Sequence, residues 1–445
     1  MHRYIPNTER DQREMLDVIG ISSLDELFAG VPEEIRLKRP LALENTLSEM
    51  EVNRKLKALA ALNADTESFA CFLGAGAYDH FIPAVVDSLL SRQEFYTAYT
   101  PYQPEISQGT LQAIFEYQSM ICMLTGMDVA NASMYDGASA LAEAALMACR
   151  ETRRAEVLVA RSAHPQSRET MRTYARFHGV AVNECGCADG ALDIDDLKNK
   201  LSDQTAAVIV QTPNFFGVIE DLTEIERLAH AAGALLVVSC DPLSLALLKP
   251  PGEQGADIVV GEGQSLGNPL SFGGPYLGFF AVKEKLMRKM PGRIVGQTVD
   301  RNGNPGFVLT MQTREQHIRR EKATSNICSN EALCALAATI YLTAMGPNGL
   351  KDVAVQCLSK AKYTRDALIN TGLFTPLFGK PFFKEFALEY KGDVAALNKK
   401  LLEAGFIGGY ALEKDYPEYK NAWLAAVTEK RTRREIDALA KAVTA

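Results

Sequence analysis

The sequence predicts an α/β fold: a helix-covered sheet of parallel strands, preceded by a helical arm and followed by a smaller α+β domain. Three observations carry this. Short apolar runs recur at Glu156–Ala160, Ala181–Glu184, Ala206–Gln211, Ala234–Ser239, Asp257–Val260 and Tyr276–Val282, spaced by helical patterns such as Ile225–Ala232. Such runs read as strands buried on both faces. Residues 1–65 are instead polar and helical, and Pro32 and Pro40 interrupt them. After Asn330 the pattern changes again.

Taken in order, the first segment reads as an arm, with Ser23 or Asp25 as helix caps. A wrapping arm and a solvated helix pair both suit it. The large α/β domain is expected over 66–330. Over 331–445 the reading is a linking helix and a small α+β domain. Its apolar helix, Glu331–Ala344, is broken by Gly346-Pro347-Asn348-Gly349. Strands are expected at Lys384–Tyr390 and Ala422–Val427.

Composition narrows the function. The 445 residues are 47% hydrophobic and 23% charged, as in ordinary globular proteins. A net charge of -8 argues against a general nucleic-acid binder. No apolar stretch approaches the about 20 residues of a membrane span, and the charged start lacks the apolar core of a secretory signal. Nine scattered cysteines include no two Cys-x-x-Cys pairs, so no metal site is expected. Reduced thiols in the cytoplasm are the plain expectation.

The most informative segment is Asp257-Ile-Val-Val-Gly-Glu-Gly-Gln-Ser-Leu-Gly-Asn-Pro, followed by Phe272-Gly-Gly-Pro-Tyr-Leu-Gly. In pyridoxal phosphate (PLP) enzymes such a strand–loop–strand commonly carries the lysine that holds the cofactor covalently. Here no lysine occurs between Lys249 and Lys283. Gly261, Gly263 and Gly267 approach a dinucleotide fingerprint, but Pro269 and Gly273-Gly274-Pro275 follow where a helix should open. A plain tight turn is the remaining alternative.

Other segments are open to two readings. Asp241 lies two residues beyond the strand end Ser239; it is either a shifted partner for a pyridinium nitrogen or a turn residue. Met134-Tyr-Asp-Gly-Ala-Ser opens a helix whose N-terminus suits a phosphate or a simple cap by Asp136 or Ser139. His164 follows a strand and reads on its own as a structural residue. Phe95–Gly109 is dense in polar and aromatic residues. Arg314, His317, Arg319, Arg320 and Lys322 crowd nine residues just before Thr324, Ser325 and Asn326. That run is a solvated helix face or an anion site.

Tyr99-Thr-Pro-Tyr-Gln-Pro-Glu-Ile-Ser-Gln-Gly109, Arg319-Arg-Glu-Lys-Ala-Thr-Ser-Asn-Ile-Cys328, Gly405-Phe-Ile-Gly-Gly409 and Val427-Thr-Glu429 together resemble glycine decarboxylase, the P-protein family of the glycine cleavage system. The likeness is to the α subunit (subunit 1) of its two-subunit form. The resemblance implies an aspartate-aminotransferase-like fold (fold type I). It places Gln264 and Ser265 where the active subunit has a His-Lys pair, so Ser265 stands at the Schiff-base lysine position. For His164 it implies a ring stacked on a cofactor. It implies an oxidoreductase complex in which PLP, bound in the β subunit (subunit 2) and not covalently here, serves glycine decarboxylation. The remaining aminomethyl group passes to the lipoyl arm of the H-protein. An α2β2 heterotetramer is implied, with no nucleic acid and no membrane, and with this chain inactive alone. Thr324, Ser325 and Asn326 are expected to reach the β subunit's cofactor, and Tyr96, Tyr99 and Gln103 the glycine pocket. The alternatives are an assembly or regulatory protein on a dead PLP fold, or another PLP-dependent decarboxylase whose lysine lies elsewhere.

Overall fold

The structure is a computed structural model and describes residues 6–96 and 98–445. The chain divides into one compact unit through Asn63 and a second over Ala64–Ala445.

In the first unit, helices α1 (Glu9–Ile19) and α2 (Glu49–Ala60) each start on a capping box, Thr8 with Asp11 and Ser48 with Glu51. The expected caps are corrected accordingly. Ser23 precedes only a short 3-10 turn and makes no cap bond, while Asp25 pairs with Arg36. No residue from 6 to 63 is buried. Val18, Ile35, Leu41, Leu43, Met50 and Leu62 are exposed apolar side chains in it.

The second unit is built on a seven-stranded sheet. In chain order its strands are β1 (Val129–Ala130), β2 (Glu156–Ala160), β3 (Ala181–Cys185), β4 (Thr205–Thr212), β5 (Leu235–Cys240), β6 (Ile258–Glu262) and β7 (Gly278–Val282). The spatial order is β1-β7-β6-β5-β4-β2-β3. β2 through β6 run parallel, whereas β7 is antiparallel to both β6 and β1. The expectation of a parallel sheet therefore fails at one edge. The Gly-rich loop 263–277 returns the chain directly as a hairpin-like connection, with no crossover helix to restore the direction.

Both faces of the sheet are buried, as the near-continuous apolar strands require. Leu158, Val208, Val210, Leu236 and Val238 pack on one face, and Val157, Val159, Ile209, Val237 and Val260 on the other. Helix α3 (Gly137–Thr152) joins β1 to β2, and every residue from Ser139 to Cys149 in it is buried. Alanines at five of these positions let the helix sit close on the strands. Helix α4 (Pro165–Arg176) follows β2.

Helix α5 (Ala332–Asn370) links to the small sheet and is broken at Gly346, whose φ of 58° is left-handed, with Pro347 next. By length and composition it is apolar enough to cross a membrane. It is however two helices, and 332–345 alone falls short of a roughly 30 Å hydrocarbon core at about 1.5 Å per residue. Ala335, Ala338 and Tyr341 pack in the large core, and Ala361 and Leu368 in that of the small sheet. The small sheet has strands β8 (Phe374–Pro376), β9 (Glu385–Tyr390), β10 (Tyr410–Ala411) and β11 (Ala422–Ala426), in the order β8-β9-β11-β10. Its strand β9 carries the next residues of interest to the mouth of the large sheet.

Candidate functional site

A cleft of about 650 Å³ opens at the C-terminal ends of the parallel strands. Ligands of open α/β sheets bind at that end. β2 leads to His164, β4 carries Gln211 next to its last residue, β5 runs into Asp241, and β6 ends at Glu262. Gln264 and Ser265 from the following loop, Tyr78 from an early loop, and Lys384 and Glu385 from the start of β9 complete the lining.

The N-terminus of α3 points its free backbone N–H groups at this cleft, the arrangement that holds a phosphate. Those of Gly137 and Ser139 are taken by the chain's own side chains. Asp136 caps the helix by accepting from Ser139 N at 2.7 Å. Glu262 Oε2 accepts from Gly137 N at 2.9 Å. Its Oε1 accepts from Gln264 N at 3.0 Å and Leu277 N at 2.9 Å. Gly137 makes the approach possible: a Cβ there would lie 2.9 Å from Glu262 N. Burial pushes the Glu262 carboxyl up to about 7, against the three N–H donors that favour its anion.

Asp241 is engaged from the opposite side. Lys384 is 2% exposed, and its Nζ lies 2.7 Å from Asp241 Oδ2. The same ammonium sits 3.7 Å from the Tyr78 ring centroid and 3.0 Å from His80 Nε2. An ammonium can only donate, so Nε2 accepts and the proton rests on Nδ1, which donates to Glu429 Oε2 at 2.7 Å. Burial and then Lys384 hold His80 below the usual imidazole range. Burial opposes ionisation of Glu429, but the His80 and Phe81 hydrogen bonds outweigh it and bring its carboxyl to about 2. Cys357 Sγ donates to the same carboxylate at 3.4 Å. His80, Cys357 and Glu429 have ligand-type atoms within 4.8 Å of one another; here these atoms form a hydrogen-bond chain that ends on Lys384. Asp241 also accepts from Leu243 N at 3.0 Å, as the turn reading expected, and its other oxygen is held by Lys384.

Glu385 is buried beside Lys384. It accepts from Ala75 N at 2.6 Å and Tyr78 Oη at 2.8 Å, and burial pushes it up to about 7. His164 caps α4 by accepting from Gln166 N at 3.2 Å. Its Nε2 lies 2.9 Å from Ala75 O, and its edge meets the Phe215 ring. Gln264 is fixed by Tyr78 N, Tyr78 O and Asn268 O. Ser265 is 4% exposed, and its Oγ has no hydrogen-bond partner.

These residues do not fit PLP. A pyridoxyl phosphate carries about -1.5 to -2 charge, and the helix terminus built to receive it already faces Asp136 and Glu262. Asp241 is held by a lysine of this chain. The position read as the covalent lysine offers a hydroxyl. No helix follows the Gly-rich loop, so the dinucleotide alternative fails on the same residues.

The remaining candidate residues lie outside the cleft. Tyr96 and Tyr99 are 64% and 86% exposed, and Gln103 and Asn326 are also exposed. Thr324 and Ser325 are half-buried. The structure nonetheless joins their two segments. The Tyr102 ring meets His317 edge-on at 5.5 Å, with Arg293 over it at 5.7 Å. The basic run is not uniform. Arg314 is half-buried and holds the Met290 and Gly292 carbonyls, whereas Arg319, Arg320 and Lys322 are exposed. The Ser325 hydroxyl donates to the buried Glu143 of α3, so it is not free as the sequence suggested.

Sequence reasoning missed Glu262, Lys384, His80 and Glu385. A signal was present for Glu262, a lone charge in the otherwise apolar strand Ile258–Glu262, since such a charge, if buried, must be paired.

Residues 2–443 match the family described as the glycine cleavage system P-protein. The chain is 58% identical over 438 residues to the probable glycine dehydrogenase (decarboxylating) subunit 1 of Desulforamulus reducens, covering 98% of each chain. It superposes on a crystal structure of glycine decarboxylase (P-protein), in inhibitor-bound form, with a TM-score of 0.91 at 46% identity, covering 99% of both chains. A Lactobacillus brevis glutamate decarboxylase matches with a TM-score of 0.69 at 12% identity, covering 94% of this chain and 97% of that one, which shows a shared fold.

Proposed function

This chain belongs to the glycine cleavage system P-protein family, and on that premise we propose that it is subunit 1 of a two-subunit glycine decarboxylase that works only with its partner. Subunit 2 holds the PLP. The pair, in an α2β2 assembly in the cytoplasm, decarboxylates glycine and passes the aminomethyl group to the lipoyl arm of the H-protein. The observation that carries the division of labour is the cleft itself. It has the position and shape of a cofactor site, but Ser265 stands at the lysine position and the chain's own charges meet the anchors. The nine cysteines are all free, which agrees with a reducing compartment.

This chain's part is then structural support and donated side chains. Tyr96, Tyr99 and Gln103, on the glycine side, and Thr324, Ser325 and Asn326, on the phosphate side, are the residues proposed to reach the partner's site. The joined segments support this, since Tyr102 and His317 make one surface of them. The exposed apolar side chains of the first unit and Phe272, 81% exposed on its loop, are further support for an obligate partner.

One observation favours a second reading. Lys384 is a cleft lysine outside the usual loop, and a lone PLP decarboxylase would need such a residue. The purified chain, incubated with PLP, reduced with borohydride and peptide-mapped, separates the two. We expect no stoichiometric pyridoxyl-lysine at any one site, and glycine decarboxylation only on co-expression with subunit 2. A pyridoxyl group on Lys384 with activity in the isolated chain would establish the second reading.

A further inference from the structure

We propose that the cleft carries a built-in imitation of the cofactor's two polar ends: the Glu262 carboxylate takes the phosphate's place on helix α3, and the Lys384 ammonium takes the pyridinium's place on Asp241. This deepens the reading of the chain as the subunit without PLP and rests on it. It goes further in naming what excludes the cofactor. A missing lysine removes only the covalent bond, and phosphate and ring contacts can still hold a cofactor without it. The two internal contacts remove those as well.

The geometry supports each half independently. A phosphate at a helix N-terminus is bound by backbone N–H groups. Glu262 draws on the same kind of donor, accepting from Gly137 at the first turn of α3 and from Gln264 and Leu277 on the adjoining loop. Gly137 has no side chain, and a Cβ there would lie 2.9 Å from Glu262 N and 3.0 Å from Glu262 Cβ, so the glycine lets this terminus sit against the strand end that carries the carboxyl. At the other end, an Asp beyond a central strand end is where a PLP enzyme holds the ring nitrogen's proton. Lys384 presents an N–H to Asp241 at 2.7 Å. It comes from the small sheet, is 2% exposed, and is oriented by His80, itself held by Glu429. Ser265 Oγ, which also lines the cleft, is buried and without a partner.

The imitation has a second consequence. Lys384 and Glu385 belong to the small sheet, while Asp241 and the Tyr78 loop belong to the mouth of the large one. The surrogate charges therefore fasten the small sheet across the cleft.

The test uses the full chain and two ligands that form no Schiff base, inorganic phosphate and pyridoxamine 5′-phosphate. The variants are Glu262→Gln, Glu262→Ala, Lys384→Met and Glu262→Ala/Lys384→Met. The parent should bind neither ligand. Either Glu262 variant should gain both, with pyridoxamine phosphate binding improved roughly a hundredfold over the parent, the scale of one or two charge-assisted hydrogen bonds. Lys384→Met should leave phosphate binding unchanged, and only in the double variant should it add a further gain for pyridoxamine phosphate. Folded Glu262 variants that bind no better than the parent overturn the proposal. If the variants do not fold alone, refolding from urea with and without pyridoxamine phosphate decides it: recovery with ligand supports the proposal, and equal failure overturns it. A parent chain that already binds pyridoxamine phosphate tightly would instead count against the reading of this subunit as PLP-free.

Discussion

The cleft and the outer surface formed by segments 95–109 and 311–326 are the two regions where the sequence concentrates polar residues, and they are finished in opposite ways. In the cleft, Glu262, Asp241, Lys384, His80 and Glu385 are each paired with another group of the chain. On the surface, Tyr96, Tyr99 and Gln103 stand exposed. Polar groups inside a protein must be satisfied from within, because an unpaired one costs more than any single hydrogen bond returns. Aromatic groups on a surface can wait for a partner. The difference indicates which region acts by itself and which acts on something else. The part that looks like an active site is closed on itself, and the part that looks like a loop remains available.

The largest expected effect comes from breaking the cleft. Lys384→Met leaves the half-buried Asp241 without its cation, and the loss approaches the lower end of the about 3–5 kcal/mol that removing one partner of a buried pair costs. Urea unfolding of the isolated chain reads this. Asp241→Asn/Lys384→Met should recover a good part of the loss, because both charges leave together. If the single variant is as stable as the parent, the two groups are not paired as described.

The pH dependence of stability is next. Glu262 and Glu385 both have folded values of about 7, raised by burial from 4.5. Folding therefore favours their neutral forms. Their contribution is fully present below pH 4.5 and is lost as pH rises through about 7. Each contributes about 3 kcal/mol across that window, at about 1.4 kcal/mol per pH unit. Glu429 acts in the other direction. Its value of about 2 adds stability above the ordinary carboxylate range and loses it only in acid. Urea midpoints should fall between pH 5 and 7.5, and Glu385→Gln should flatten the curve. An unchanged curve in that variant would remove Glu385 from the account.

The surface is tested in the complex. Tyr99→Ala or Thr324→Ala, co-expressed with subunit 2, should lower glycine turnover by about one to two orders of magnitude, as the loss of one charge-assisted or packed contact predicts. The isolated Tyr99→Ala variant should melt like the parent, since exposed side chains contribute little to folding. Turnover equal to the parent's would return these residues to an ordinary solvated surface. Ser325→Ala is a poorer probe, because its hydroxyl also satisfies Glu143.

How much of this could be read from the chain follows from the range of the interactions. The strands of the large sheet were legible because Val157–Ala160 and Leu235–Val238 are apolar runs that declare themselves locally. The break at Gly346-Pro347 and the cap Asp136 were legible for the same reason. The antiparallel return of β7 was not, since it depends on where a glycine-rich loop leads. Ser265 was identifiable only by a family likeness. Lys384 reaches Asp241 across a cleft between two sheets, and nothing near either residue in the sequence names the other. The meeting of Tyr102 with His317 is hidden similarly: each segment was singled out alone, and only the fold brings them to one surface.

The smallest effect belongs to Ser265, and it separates two accounts of that residue. Its Oγ is buried with no partner, so the hydroxyl bears the cost of leaving water and receives nothing in return. If Ser265 is only the position that the lysine left, Ser265→Ala removes that penalty. Stability should then stay level or rise by about 1 kcal/mol, within the range for an unsatisfied buried group. The added apolar character suits its surroundings, for the next residue, Leu266, is fully buried. If instead the hydroxyl holds an ordered water in the cleft, the substitution strands that water's other contacts, and the urea midpoint should drop by a similar amount. The sign of the change decides between these, and it is measurable because unfolding midpoints resolve differences of this size. A loss of stability would mean that the orphaned oxygen still has a partner, and that the cleft is less completely closed on itself than the contacts of Glu262 and Lys384 suggest.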